Sequence, residues 1–143
     1  MNILVIDDEP DIVLELCSYF KRRGHKVIGA DGVERAFHAL AGDVIFDLVL
    51  ADMRMPVGTG EDVLRVCMRV LNPCPALILM TGLADEEDIK RAKSYGALSV
   101  FRKPLVPRQL DEAVRLAEQH LAQRSPEAAK PVARPSAFFA SAA

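Results

Sequence analysis

Five short runs of branched apolar residues punctuate the chain. After each comes a longer stretch in which apolar residues recur every three or four positions. "ILVID" (3–7) reads as a buried strand, and Ile12, Val13, Leu16, Tyr19 and Phe20 then share one face of a helix that Gly24 stops. "HKVIGA" (25–30) is a second strand, and Val33, Ala36, Phe37 and Leu40 mark a helix ending near Gly42. "DLVLAD" (47–52) is the third strand; Val63, Leu64, Cys67, Met68 and Leu71 give the third helix, closed by "NPCP". "ALILMTG" (76–82) is the fourth strand. "DEEDIKRAKSYGA" (85–97) opens with acids, which the positive end of a helix favours, and ends at Gly96. "LSVFRKP" (98–104) is the fifth strand, and Leu110, Val114, Ala117 and Leu121 make the last helix.

Continuously apolar strands separated by helices predict a parallel sheet covered on both faces. Right-handed crossovers leave few topologies. The expected class is α/β: a doubly wound, flavodoxin-like sheet of five parallel strands in the order 2-1-3-4-5, with five helices. A Rossmann dinucleotide fold competes, but it needs a glycine-rich turn after the first strand, and "IDDEPD" has none. The 143 residues suit one domain, placed at 1–122. From about Ser125 the sequence turns Pro/Ala/Ser-rich and loses its periodicity, so 123–143 is expected to be a disordered tail or linker. Phe138 and Phe139 are candidate anchors on a partner there, with a floppy end the simpler expectation.

Composition narrows the function. Half the residues are apolar, enough for a sizeable core, and the net charge of −2 argues against direct nucleic-acid binding. No apolar run approaches the ~20 residues of a membrane helix. "MNILVIDDEP" meets acids at once and lacks the basic lead of a secretory signal, so a cytoplasmic protein is expected. Cys17, Cys67 and Cys74 are odd in number and widely spaced, which suits reduced, packed thiols rather than disulfides or zinc ligands.

In open α/β sheets the functional crevice lies outside the carboxyl ends of the strands. Those ends carry Asp7 and Asp8, Asp52, Thr81, and Lys103 before Pro104. Alone, each is ordinary: an aspartate after a strand is usually a cap or turn residue. Together they fall on the adjacent strands 1, 3, 4 and 5. Unit charges about 4 Å apart repel by about 4 kcal/mol at an effective dielectric near 20. Protons or a metal must offset that. An all-oxygen acidic set suits Mg²⁺. Mg²⁺, an ammonium and a hydroxyl around one carboxylate describe phosphoryl transfer to an aspartate nucleophile.

The motifs "VIDDEP", "DLVLADMRMP" followed by Gly60, "ILMTG" and "FRKP", in this order, resemble the receiver domain of two-component response regulators, as typified by chemotaxis receivers. The resemblance spans residues 2 to about 122. It implies that Asp52 is the phosphoacceptor and that Asp7 and Asp8 hold Mg²⁺, with the Asp52 side chain and the Arg54 backbone carbonyl. Thr81 would bond the phosphoryl group and move toward it, and Lys103 would pair with it; the bond to Pro104 is often cis in such domains. The donor would be a phosphohistidine on a histidine kinase or a histidine phosphotransfer protein. The signal would pass to a downstream protein or an output domain, with a homodimer through helix 4, strand 5 and helix 5 as an option. Such domains catalyse their own phosphorylation and dephosphorylation and are not normally classed as enzymes.

One departure and one further feature qualify the resemblance. The family's switch aromatic stands three residues before the lysine; here that position is Val100, with Phe101 next to it. Adjacent strand residues face opposite ways, so Phe101 cannot replace the missing ring and should face the other side from Val100. The switch region Thr81, Val100 and Phe101 is therefore expected to couple weakly, or through a backbone shift. Arg54 and Leu83 follow Asp52 and Thr81 by two residues, where neither would orient an attacking water, so slow self-hydrolysis is expected.

Two rival readings differ in class. A haloacid-dehalogenase-type phosphatase uses a second Asp two residues after its nucleophile; here Arg54 holds that place and cannot act as an acid near neutral pH. A pseudo-receiver that only binds proteins would not need the full Asp7, Asp8, Asp52, Thr81 and Lys103 set. A DNA-binding output domain would need about 60 further residues. The chain is thus expected to be a stand-alone receiver or the N-terminal fragment of a larger regulator.

Overall fold

Every apolar run becomes a strand and every periodic stretch a helix. The order is β1 (Asn2–Ile6), α1 (Pro10–Arg22), β2 (Lys26–Ala30), α2 (Val33–Leu40), β3 (Leu48–Asp52), α3 (Gly60–Val70), β4 (Ala76–Thr81), α4 (Glu86–Ser94), β5 (Ser99–Arg102) and α5 (Pro107–Ala122). The computed structural model describes residues 1–56, 58–83 and 85–123. The tail or linker assigned to 123–143, with Phe138 and Phe139, lies outside the described residues except for Gln123. The sheet runs β2-β1-β3-β4-β5 with all four pairings parallel, the doubly wound order expected from the sequence. Among the described residues no helix is long and apolar enough to cross a membrane.

Strand alternation divides the core. Leu4, Ile6, Val49, Ala51, Leu77 and Leu79 point to one face and pack with Phe37, Leu40, Val63, Leu64 and Cys67 from α2 and α3. Ile3, Val5, Leu48, Leu50, Ile78 and Met80 point to the other, against Leu16, Phe20, Leu110, Ala113 and Ala117 from α1 and α5. Burying each large apolar side chain stabilises the fold by about 1.5–3 kcal/mol, so a slip of register by one residue would turn both faces inside out.

Two helices depart from the expected stripes. Met68 is 54% exposed, because the buried face of α3 runs through Val63, Leu64, Val66 and Cys67. Its thioether instead lies over Gly96, where a Cβ would come within 2.8 Å of the sulfur and where φ is +108°. In α5 the inner stripe is Leu110, Ala113 and Ala117, while Val114 and Leu121 are only half-buried. The two small alanines let α5 lie close to the sheet.

α4 is the least anchored helix. Asp85 caps it by accepting a 2.8 Å hydrogen bond from Asp88 N–H, but Ala92 is its only buried residue. Its first turn is held by ion pairs of Asp88 with Arg54 and Arg91.

Candidate functional site

The strand ends converge as the topology requires. β1 and β5 stop one residue early, at Ile6 and Arg102, so Asp7 and Lys103 stand just beyond the ladders. Their backbones are still fixed by the neighbouring strands: Asp7 N–H donates to Ala30 O at 3.1 Å, and Lys103 N–H to Thr81 O at 2.7 Å. Asp52 closes β3, and Met53 N–H donates to Met80 O at 2.7 Å. The loop then returns through an isolated bridge between Arg54 and Thr59 into α3, whose Thr59 and Asp62 form a reciprocal capping box. Gly60 opens that helix directly behind the acid. A Cβ there would meet the Asp52 carbonyl oxygen at 2.5 Å, so only glycine permits this approach.

Asp7 is wholly buried and Asp52 is 6% exposed, while Asp8 is half-buried. One carboxylate oxygen from each lies within 4.8 Å of the others. Asp7 Oδ1 accepts a 2.9 Å hydrogen bond from Glu9 N–H. Asp52 Oδ1 accepts from Arg54 N–H at 3.3 Å, and Asp52 Oδ2 accepts from Lys103 Nζ at 3.0 Å. Lys103 Nζ also lies 2.6 Å from Asp7 Oδ2, an ion contact whose approach falls outside hydrogen-bond geometry. Asp7 Oδ2 is thus the one buried side-chain polar atom among the described residues without a hydrogen bond. The Lys103–Pro104 peptide is cis.

One ammonium pairs with two of the three clustered carboxylates. Burial pushes the Asp52 carboxyl above the usual range; the Lys103 hydrogen bond opposes that rise and the Asp7 charge adds to it. Burial pulls Lys103 down, but its close pairing with the charges of Asp7 and Asp52 outweighs that and holds the ammonium above its ordinary value. Lys103 therefore stays charged, and the acid cluster still lacks positive charge.

The remaining residues singled out by sequence fall close by, with different engagement. Thr81 is buried at the end of β4, and its Oγ1 accepts from Leu83 N–H at 3.2 Å. Among the described residues it makes no hydrogen bond to Asp52. Val100 and Phe101 face opposite sides, as alternation requires: Val100 is half-buried against the cluster containing Ile89 and Tyr95, and Phe101 is buried with Leu110 and Ala113. Leu83 is 83% exposed.

Sequence reading missed one group. Arg54 Nη2 lies 3.8 Å from Asp88 Oδ2, and Arg91 bridges Asp88 Oδ1 at 3.0 Å and Glu61 Oε1 at 3.1 Å. The unbalanced cation in "DMRMP" and the acid-rich start of α4 were the available signals, but nothing local links residues on three separate elements.

The family model for the response regulator receiver domain matches residues 3–115. Response regulator SaeR from Staphylococcus aureus is 33% identical over 110 residues, covering 76% of this chain and 46% of SaeR. The chain therefore spans about half the length of the curated relatives it matches. A CheY-like receiver domain protein from Methanospirillum hungatei superposes with a TM-score of 0.72 at 27% identity, over 85% of this chain and 97% of that one. A Burkholderia pseudomallei response regulator, solved with a phosphorylated aspartic acid, a calcium ion and citrate, gives a TM-score of 0.71 at 27% identity, over 92% of this chain and 75% of that one. With the doubly wound sheet and its acid cluster already in place, a match of this extent makes the chain a member of the response regulator receiver domain family.

Proposed function

We propose that this receiver takes a phosphoryl group onto Asp52 from a phosphohistidine and signals through altered protein–protein contacts. One observation carries the reading: a buried carboxylate at a strand end, hydrogen-bonded by a lysine and set against two further aspartates. A carboxylate oxygen of Asp52 forms the new P–O bond as the donor P–N bond breaks, and the leaving imidazole takes a proton from solvent. Lys103 transfers its hydrogen bonding to a phosphoryl oxygen, which relieves its crowding between two acids. Thr81 supplies a hydroxyl donor once it turns from Leu83 N–H.

The acid cluster fits a small divalent cation, because Asp7 Oδ2 is a buried oxygen with no hydrogen bond. Asp7, Asp8, the Asp52 side chain and the Arg54 carbonyl would hold Mg²⁺. When bound, Mg²⁺ offsets the charge that otherwise keeps an anionic phosphoryl group away from an anionic carboxylate. The phosphorylated aspartate and calcium ion of the Burkholderia relative support both assignments.

The donor is a histidine kinase or a histidine phosphotransfer protein. A cavity of about 280 Å³ beside Lys103, lined in part by Ile12, Leu16, Pro104 and Leu105, offers such a partner an apolar footing. The recipient is a downstream protein or an output domain, reached through the α4–β5–α5 face, where a homodimer is the alternative arrangement. The site acts in the cytoplasm and catalyses only its own phosphorylation and dephosphorylation. Arg54, in the place of the second aspartate of a haloacid-dehalogenase-type phosphatase, favours the receiver over that enzyme, and the complete site favours it over a pseudo-receiver.

Intact mass measured after incubation with Mg²⁺ and acetyl phosphate tests the assignment. Wild type should gain one phosphoryl group and Asp52→Ala none. No gain in either, or equal gain in both, would refute it.

A further inference from the structure

We infer that the Arg54 guanidinium is a second cation for the phosphoryl group, held in reserve by Asp88, so that phosphorylation draws Arg54 off the first turn of α4. The inference rests on Asp52 being the acceptor.

Arg54 begins at the acceptor itself, since its backbone N–H bonds Asp52 Oδ1 at 3.3 Å. Its side chain is 72% exposed, and its one ion pair among the described residues is the 3.8 Å contact to Asp88 Oδ2. That contact is long and easily exchanged. Asp88 has a shorter partner in Arg91, at 3.0 Å, and Arg91 in turn donates to Glu61 through Nε at 3.1 Å. Arg54 is therefore the member that can leave without stranding a charge. A cavity of about 130 Å³, lined by Met53, Arg54, Thr59, Glu61, Asp88 and Arg91, lies between the side chain and α4, so Arg54 is not packed tightly in place there.

The exchange has a direction. A phosphoryl group carries about −1.5 to −2 charges at neutral pH and offers several acceptor oxygens, whereas Asp88 offers one charge already shared with Arg91. The planar guanidinium fork matches phosphate oxygens. α4 feels the loss because Ala92 is its only fully buried residue, with Ile89 partly buried beside it. Val100 leaves no aromatic ring to carry the signal from the site to this helix, and the charge exchange supplies another route.

A double-mutant cycle on the purified chain tests this, read as affinity for beryllofluoride with Mg²⁺ and as labelling rate with acetyl phosphate. Asp88→Asn frees Arg54 and should tighten beryllofluoride binding about two- to fivefold, the size of one exposed ion pair. Arg54→Gln keeps the backbone carbonyl and should weaken binding by a similar factor. In the Arg54→Gln background, Asp88→Asn should then change nothing. Glu61→Gln loosens the contact of α3 with α4 without touching Arg54, and should leave affinity unchanged. An Asp88→Asn effect of the same size with and without Arg54, or a Glu61→Gln effect equal to it, overturns the inference. Wild type that neither labels nor binds beryllofluoride overturns the acceptor assignment and this inference together. Labelling with an additive cycle overturns this inference alone.

Discussion

Lys103 reaches across the end of β4 to donate a 3.0 Å hydrogen bond to Asp52 Oδ2. The same ammonium is 2.6 Å from Asp7 Oδ2, so one side chain is shared between the two most buried acids among the described residues. Removing it leaves both carboxylates in a poorly solvated site without a cation. Lys103→Met should therefore lower stability by about 1–3 kcal/mol in chelator. Urea melts should show Mg²⁺ restoring more of the loss than it adds to wild type. An unchanged midpoint in chelator would mean that the pair contributes nothing.

Asp7 Oδ2 is buried without a hydrogen bond, and that sets a prediction for the cation. Mg²⁺ at ten times its dissociation constant should stabilise wild type by about 1.4 kcal/mol. Asp7→Asn removes one of three crowded charges while an amide oxygen can still accept from Glu9 N–H. It should melt at or above the wild-type temperature in chelator and gain nothing from Mg²⁺. Thermal melts with and without Mg²⁺ decide it, and an equal Mg²⁺ increment in both proteins would remove Asp7 from the ligand set.

Val100 and Phe101 are neighbours in the chain that serve opposite faces of the sheet. Phe101 is 8% exposed and packs against Leu110 and Ala113, whereas Val100 is half-buried. Phe101→Ala should cost about 3–4 kcal/mol, and Val100→Ala about 1 kcal/mol or less. Chemical denaturation measures both. Comparable costs would contradict the split. With no ring at Val100, beryllofluoride should still change partner affinity at the α4 face; equal affinity in both states would leave that face without a switch.

The alternation that separates these two residues was legible in the sequence, as were all ten elements and the strand order, because period-2 and period-3.6 patterns record burial directly. Gathering Asp7, Asp8, Asp52 and Lys103 also followed from sequence, since a parallel sheet brings its strand ends to one edge. The spacing of Met68 fits the buried face of α3; its contact with Gly96 depends on where α4 ends, which periodicity within α3 cannot report. The Arg54–Asp88–Arg91–Glu61 group was invisible for a similar reason. Solvated charges show no period, and these four meet only after α3 and α4 have docked.

Arg54 and Leu83 stand two residues beyond Asp52 and Thr81, and neither offers a group to orient water. Leu83 is 83% exposed, and the Arg54 guanidinium can only donate hydrogen bonds. The phosphorylated protein, freed of donor and kept in Mg²⁺, should hold its phosphoryl group for minutes or longer by intact mass. Decay within seconds would show that another group activates the water.

His25 gives the fold a pH dependence far from the acid cluster. Its ring is half-buried, edge-on to Phe20 at 6.3 Å, and its Nδ1 accepts a 3.0 Å hydrogen bond from the N-terminal ammonium of Met1. Burial, and then the ammonium charge, lower its pKa below the ordinary value, while the charge of Glu118 pulls the other way. The folded state therefore favours the neutral ring, and below about pH 6.5 the unfolded chain binds more protons than the native one. The stability that depends on the neutral ring is present above that pH and is lost as pH falls through the folded value. NMR titration should place the His25 midpoint below that of a free histidine. Melting temperatures recorded from pH 7.5 down to 5 should fall more steeply for wild type than for His25→Gln, which keeps an acceptor but cannot titrate. Parallel curves would show that the ring is equally easy to protonate in both states.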